Sequence, residues 1–270
     1  MDTIQAIILG AVQGLTEFIP ISSSAHLIVV PWLFHWKPFG LAFDVALHLG
    51  TLFALVAYFW RDWYGLLRDS VTRARLRPSH DRKTMLLWPI IIASIPAAVA
   101  GKFLEHRIED QVRSNFLLVG VVTIGLGMLL FAADRLGAKR RPAETVTLRD
   151  WLIIGVAQAL AIVPGVSRSG ITITAGLVCG LRRDAAARFS FLLGAPIILA
   201  AAVYELPDAL KSVLTGGEWL QFTAGIAASA VVGYICIGFL MSYLRRRSTD
   251  LFVGYRVVFG LGVILLSLLR

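Results

Sequence analysis

The sequence predicts an all-α integral membrane protein: six transmembrane helices plus two re-entrant helix–loop–helix hairpins, arranged as two inverted-topology repeats. Three observations predict it. Of 270 residues, 57% are hydrophobic and 16% charged, whereas a soluble domain of this length needs roughly a quarter of its residues charged. The charge is clustered, leaving several apolar stretches of about 18–22 residues, long enough to cross a bilayer as helices. Two further apolar stretches are interrupted midway by a proline and a group of serines. Lipid offers the backbone no hydrogen bonds, so helices are the default. A membrane β-barrel would show dyad alternation, and these runs are solidly apolar.

Full crossings are expected at 41–60, 86–104, 116–133, 189–206, 220–241 and 251–269. The interrupted stretches are 4–34, broken by Pro20 with Ser22, Ser23 and Ser24, and 151–176, broken by Pro164-Gly165 with Ser167 and Ser169. Irregular backbone survives at membrane depth only when buried in protein or facing a wet cavity. Both stretches are therefore read as hairpins that leave by the side they entered. With that topology the loops 61–85, 134–150, 177–188 and 242–250 carry 7, 5, 3 and 3 basic residues. The opposite side (1–40, 105–115, 207–219 and the C-terminus) carries 1, 2, 1 and 1. Basic residues favour the cytoplasmic side, which puts both termini outside.

The net charge of +9 does not point to nucleic acid, because the basic residues sit in short loops between apolar runs. Arg61 to Lys83 reads as a solvated cytoplasmic connector near anionic headgroups. Cys179 and Cys236 lie in apolar stretches without Cys-x-x-Cys spacing and read as small packing residues. No Lys or Arg precedes Lys37, which argues against a cleaved signal peptide. Trp32, Trp36, Trp60, Trp63, Trp88 and Trp151 fall at expected interfaces, as an aromatic belt would.

Two repeats, 1–140 and 151–270, align at an offset near 145. Gly10-Ala11-Val12-Gln13-Gly14-Leu15 lies over Gly155-Val156-Ala157-Gln158-Ala159-Leu160, and Phe43–Tyr58 over Phe189–Tyr204. Each repeat holds one hairpin and three crossings. Three is odd, so the second repeat is inverted relative to the first, an arrangement that puts binding sites near the midplane. Chance similarity among apolar segments is the competing account.

A charge at the bilayer centre costs at least about 2.5–3.5 kcal/mol, so the polar groups in the hairpins are functional candidates. The first hairpin reads Gln13-Gly-Leu-Thr-Glu17-Phe-Ile-Pro-Ile-Ser22-Ser23-Ser24-Ala-His26. Gln13 and Glu17, four apart, share a helix face, and Glu17 and His26 flank the break, where they are expected to converge. The bland alternative is a neutral, hydrogen-bonded Glu17 with serines that only cap a helix. The second hairpin offers Ser167, Arg168, Ser169 and Thr172 at the start of a half-helix, the makings of a phosphate site. Its bland alternative is a structural Arg168–Glu17 pair, which would mark the same cavity. Asp44 and His48 share a face of the first crossing; a supporting or metal role competes with interfacial capping. Arg256 is expected to snorkel, and His35 and His80 fall in loops.

Together these groups describe phosphoryl chemistry inside a bilayer. Glu17 is expected to hold Mg²⁺ or Ca²⁺ with Gln13 as neutral co-ligand, while Arg168 and the helix ends stabilise phosphate charge.

At these motifs the chain resembles the bacterial undecaprenyl pyrophosphate phosphatases of the bacitracin-resistance type. Phe43-Asp44 through His48-Leu-Gly-Thr51 and Ala187-Arg188-Phe189-Ser190-Phe191 also look like that family. The resemblance implies hydrolysis of undecaprenyl pyrophosphate to the monophosphate with a divalent cation, in the bacterial cell membrane. This would recycle the carrier for peptidoglycan synthesis and confer bacitracin resistance. It implies a catalytic set of Glu17, Ser23, His26 and Arg168, with Ser22, Ser24, Ser167, Ser169 and Thr172 against the pyrophosphate. The expected partners are thus a polyprenyl pyrophosphate lipid and the membrane, with no nucleic acid; a homodimer stays open. Many members of the family carry a first glutamate where this chain has Gln13, which leaves Glu17 more of the metal binding. The nucleophile (Ser23, His26 or water) is not legible at this level, and a transporter or lipid-carrier flippase is the rival class.

Overall fold

The computed structural model describes residues 2–37, 40–75, 87–112 and 115–269, and every regular element among them is helical. The first interrupted stretch forms α1 (Thr3–Phe18) and α2 (Ser23–Leu33), followed by α3 (Leu41–Tyr58), α4 (Trp60–Arg75), α5 (Leu87–Val112) and α6 (Phe116–Leu136). The second forms α7 (Leu148–Ala159) and α8 (Arg168–Val178), followed by α9 (Arg183–Gly216), α10 (Trp219–Leu244) and α11 (Asp250–Leu269). Five helices, α5, α6 and α9 to α11, contain stretches long and apolar enough to cross a membrane. A sixth span exists if α3 and α4, which meet at a 75° bend, are taken as one.

The two interruptions fold alike. In the first, Asp2 caps α1 by accepting from the Ile4 N–H at 3.1 Å. The helix then stops at Ile19, extended at ψ 134°, as a residue before proline prefers. Ser22, at φ +76°, restarts the chain as the cap of α2, its Oγ accepting from the Ala25 N–H. In the second, Ser167 at φ +67° caps α8 by accepting from the Gly170 N–H at 3.1 Å. Each capping serine also bonds the serine two residues on: Ser22 to Ser24 at 3.2 Å and Ser167 to Ser169 at 3.3 Å.

Several expected boundaries are corrected. The connector expected at 61–85 is helical through Arg75. Helix α5 continues past 104 to Val112, and α9 starts at Arg183 and continues to Gly216. Helical hydrogen bonding does not end where apolar sequence ends, and Lys, Glu, Arg and Gln are good helix formers. Residues 76–86, including His80, lie outside the described residues. Trp151 is not in an interfacial belt: it is buried with its ring 4.3 Å from that of Phe189, whereas Trp60 and Trp88 are exposed. Both cysteines are free, and Cys236 is buried.

Packing exchanges elements between the halves: α1 lies along α10, α7 along α5, α3 against α9 and α6 against α11. Two of these crossings depend on glycine. A Cβ at Gly10 would overlap the Gly225 carbonyl, and one at Gly155 the Ala93 carbonyl. Small residues let membrane helices approach this closely. The α6–α11 crossing is reciprocal, since a Cβ at Gly120 would sit 2.9 Å from the Gly260 oxygen and one at Gly260 2.9 Å from the Gly120 oxygen. Phe18, Phe59 and Phe191 sit in the main apolar core.

The stretches expected to carry the basic face meet one another through ion pairs. Arg188 bonds Asp62 and lies 3.5 Å from Glu144, Arg183 bonds Asp134 at 2.7 Å, and Arg135 bonds Asp250 at 2.9 Å. Arg141 reaches Asp150 at 2.7 Å. Burial alone would raise the Asp150 carboxyl, but hydrogen bonds from Arg141 and from the Thr147 N–H and hydroxyl outweigh it and hold it down at about 2.

Candidate active site

The two helix breaks meet. Ser169 Oγ donates to the Glu17 carbonyl at 2.9 Å, and a guanidinium from α11 ties the breaks together. Arg256 Nε donates to Thr123 O at 2.8 Å, Nη1 to Pro20 O at 3.2 Å and Nη2 to Gly165 O at 2.8 Å, while both Nη atoms reach Val166 O at 3.4 Å. The expectation that Arg256 snorkels is therefore corrected: it is 1% exposed. The physical reason is that a break leaves carbonyls no helix satisfies, in a region where water is scarce. Arginine's fork of five donors suits several such acceptors at once.

Beside the junction lies a cavity of about 500 Å³, within the usual range of ligand sites. Its polar lining includes Glu17, Ser23, Ser24, Ser167 and Arg168 from the breaks, with Asp44 and His48 from α3. Leu27, Ile28, Val45, Ile162 and Ile198 supply apolar wall.

Glu17 is the hub. Its Oε1 accepts from Arg168 Nη2 at 3.0 Å and Nε at 3.3 Å, and its Oε2 from Ser23 Oγ at 2.7 Å and Gln13 Nε2 at 3.1 Å. Arg168 also donates Nη1–H to the Ser190 carbonyl at 3.1 Å, which aims the guanidinium. The structural pair considered from the sequence is thus present, and it does mark the cavity. His48 Nε2 lies 3.5 Å from Glu17 Oε2. His48 Nδ1 donates to the Asp44 carbonyl at 2.7 Å, which turns Nε2 toward the carboxylate.

Other expected site residues do not reach the cavity. Gln13 is fully buried and touches Glu17. Ser22 caps α2 and Ser169 bonds the Glu17 carbonyl. Thr172 Oγ1 meets Ser190 Oγ at 2.6 Å and donates to Arg168 O at 2.8 Å. His26 does not converge with Glu17. Its Nδ1 donates to Ser22 O at 2.6 Å, its Nε2 meets the Tyr255 hydroxyl at 2.7 Å, and its ring stacks on Phe259 at 4.2 Å. The left-handed backbone at Ser22 turns α2 so that Ser23 and Ser24 face the cavity and His26 faces α11. The imidazole beside Glu17 belongs to His48.

Among the described residues no three or more His, Cys, Asp or Glu side chains are grouped to hold a metal. The donors still fit a hard cation that draws most of its ligands from a substrate, as Mg²⁺ commonly does. Gln13 Oε1 is a buried acceptor with no protein partner. It belongs to the amide that touches Glu17 Oε2, and that carboxylate oxygen also faces His48 Nε2.

The sequence reading passed over Arg256, Tyr255, Ser190 and Gln158 as site residues. The repeat alignment was the available signal for Gln158, which it sets over Gln13. For Arg256 the signal was an arginine inside an otherwise apolar span of twenty residues.

Comparison with known proteins gives the family. Residues 6–262 match the family model described as bacitracin resistance protein BacA. The undecaprenyl-diphosphatase of Moorella thermoacetica is 49% identical over 270 residues, covering 100% of both chains. That of Pelotomaculum thermopropionicum is 47% identical over 270 residues, covering 100% of this chain and 98% of the relative. That of Geotalea daltonii is 48% identical over 260 residues, covering 96% of each. A match across nearly the whole chain makes this chain a member of the BacA family.

Proposed function

We propose that this chain is a membrane phosphatase that hydrolyses undecaprenyl diphosphate to undecaprenyl phosphate and inorganic phosphate. The observation that carries the reading is the contact of Ser23 Oγ with Glu17 Oε2 at 2.7 Å, on a cavity wall shared with Arg168. An activated hydroxyl beside a guanidinium is what a phosphoryl transfer needs. The apolar walls accept the start of an isoprenoid chain.

In the proposed reaction Arg168 and the Ser24 and Ser167 hydroxyls hold the terminal phosphate. Ser23 Oγ attacks its phosphorus, and the O–P bond forms as the bridging P–O bond breaks and releases the prenyl monophosphate. The Ser23 proton passes to Glu17, with His48 Nε2 3.5 Å beyond. Water then attacks the phosphoserine as its Oγ–P bond breaks, giving its proton to Glu17 and His48 while the first proton returns to Ser23 Oγ, and inorganic phosphate leaves. A Mg²⁺ or Ca²⁺ held by Glu17 would neutralise phosphate charge when bound. This scheme gives His26 a supporting part, since both its nitrogens are engaged within the protein.

The α1–α2 and α7–α8 pairs are proposed as re-entrant hairpins entering from opposite sides, in two inverted repeats. The like-folded serine breaks and the reciprocal α6–α11 crossing support this. The ion-paired basic face would be cytoplasmic and both termini outside, with the carrier recycled for peptidoglycan synthesis and bacitracin resistance as the consequence. The test is phosphate release from farnesyl or undecaprenyl diphosphate by purified protein in detergent, with Glu17→Ala, Ser23→Ala and Arg168→Ala alongside. An enzyme turns over without a second compartment, and a flippase does not. Near-wild-type turnover in all three folded variants refutes the residue assignments, and trapping of phosphoserine at Ser23 separates covalent attack from direct attack by water.

A further inference from the structure

Asp44, Lys102, Tyr204 and Gln158 line the cavity and are unused by the reaction above. Gln158, at the end of α7, is 2% exposed and lines the cavity, and neither its Oε1 nor its Nε2 has a hydrogen-bond partner in the protein. Gln13 leaves only its Oε1 unmet, because its Nε2 serves Glu17. The same wall includes Ala97, Ala98, Gly101 and Lys102 of α5 and Ala159 and Ala161. Apart from Lys102 these leave space and bring no polar side chain. A buried amide with both ends unmet destabilises the fold that carries it, and native proteins rarely keep one. Leucine or methionine would suit a helix at this place equally well. The partners of Gln158 therefore arrive from the cavity.

We infer that Gln158 is a headgroup-binding residue: its Nε2–H donates to a phosphate oxygen of a prenyl phosphate, and its Oε1 accepts from a water or hydroxyl bound with that headgroup. The inference rests on the reading that the cavity takes a prenyl diphosphate. It adds a contact from α7, on a different element from Ser23, Glu17 and Arg168. Gln158 thus acts on affinity, while the proton path runs through Glu17 and His48.

The test uses the full-length protein in detergent with Gln158→Leu and Gln158→Met, farnesyl monophosphate as a non-reacting ligand and farnesyl diphosphate as substrate. The expected result is an unliganded Tm equal to or above wild type, because two unmet polar groups have been removed. Farnesyl monophosphate affinity, read from thermal shift, falls roughly tenfold, and KM for the diphosphate rises by a similar factor with kcat changed less than about threefold. Unchanged affinity and KM overturn the inference. A lower unliganded Tm in both variants also overturns it, because that marks a structural amide. If wild type binds farnesyl monophosphate but releases no phosphate from the diphosphate, the phosphatase reading fails and the binding comparison still decides Gln158. If wild type gains no stability from the ligand, both fail.

Discussion

Gly194→Ala should cost activity by displacing Arg168. Gly194 lies in α9 where the helix passes Arg168, and a Cβ there would overlap the guanidinium. The overlapping atoms are the far end of a flexible side chain, so Arg168 moves rather than the backbone. The move removes a contact of two N–H groups with Glu17 Oε1, at 3.0 and 3.3 Å, and a third bond to the Ser190 carbonyl at 3.1 Å. Complete loss of one preorganised donor to a transition state lowers kcat by about 100- to 1000-fold. A guanidinium displaced by about the width of a methyl keeps its charge near the phosphate, so the expected loss is about 10- to 100-fold. Alanine in a helix interior is favoured over glycine by up to about 1 kcal/mol, which offsets only part of the disrupted Arg168–Glu17 pair, so Tm should fall less than in Arg168→Ala. The assay is phosphate release from farnesyl diphosphate in detergent, beside a thermal melt, for Gly194→Ala, Arg168→Ala and the double variant. If Gly194→Ala acts only through Arg168, the double variant is no slower than Arg168→Ala. Turnover of Gly194→Ala within about twofold of wild type, where Arg168→Ala is strongly impaired, would refute the reasoning.

Arg256→Met should unfold the protein or lower its stability by about 3–5 kcal/mol, because the Pro20, Gly165 and Val166 carbonyls at the breaks lose their side-chain donor; Arg256→Lys, with three donors, should fall between, and both are read by thermal melts in detergent. His26→Ala should lower Tm, removing about 2–4 kcal/mol through the lost ring and the orphaned Tyr255 hydroxyl, with Tyr255→Phe reproducing part of it; His48→Ala should lower kcat at nearly constant Tm. Asp150 is held at about 2 in the fold against an ordinary 3.8, so its contribution of about 2 kcal/mol is present above about pH 4 and fades as pH falls toward 2. Asp150→Asn should therefore be less stable at neutral pH, and its deficit should narrow on acidification, as denaturation at a series of pH values would detect.

The hairpin breaks were legible because they violate the apolar pattern in a way only backbone irregularity explains. Pro20 and Pro164 end helices by sterics, and the serines after them supply the caps that restart α2 and α8. The Glu17–Arg168 meeting was legible because two charges in apolar runs need each other. Helix ends were not legible: α5 and α9 extend beyond the lipid-compatible stretch because charged residues hold a helix as well as apolar ones do. The choice between His26 and His48 was not legible either. From spacing alone His26 is closer in sequence to the serines, but a single left-handed residue at Ser22 sends the imidazole to Tyr255. Arg256 was misjudged for a related reason, since depth along a helix does not reveal which neighbours present bare carbonyls.

The charges near the two breaks do not cancel. Glu17 is matched by Arg168, whereas all five hydrogen bonds of Arg256 go to carbonyl oxygens. Carbonyl dipoles stabilise a guanidinium without neutralising it, so Arg256 places a positive charge at the junction in a medium of low dielectric. That is costly for the empty protein and favourable once a diphosphate is present. The left-handed backbone at Ser22 and Ser167 points the same way: such residues cost on the order of 1–3 kcal/mol each and persist where the surroundings over-determine them. Arg256 supplies that over-determination by gripping Pro20 on one break and Gly165 and Val166 on the other. One residue thus holds the strained turns in register and biases the cavity toward anions, which is why its replacement should impair the fold and the affinity for phosphate together.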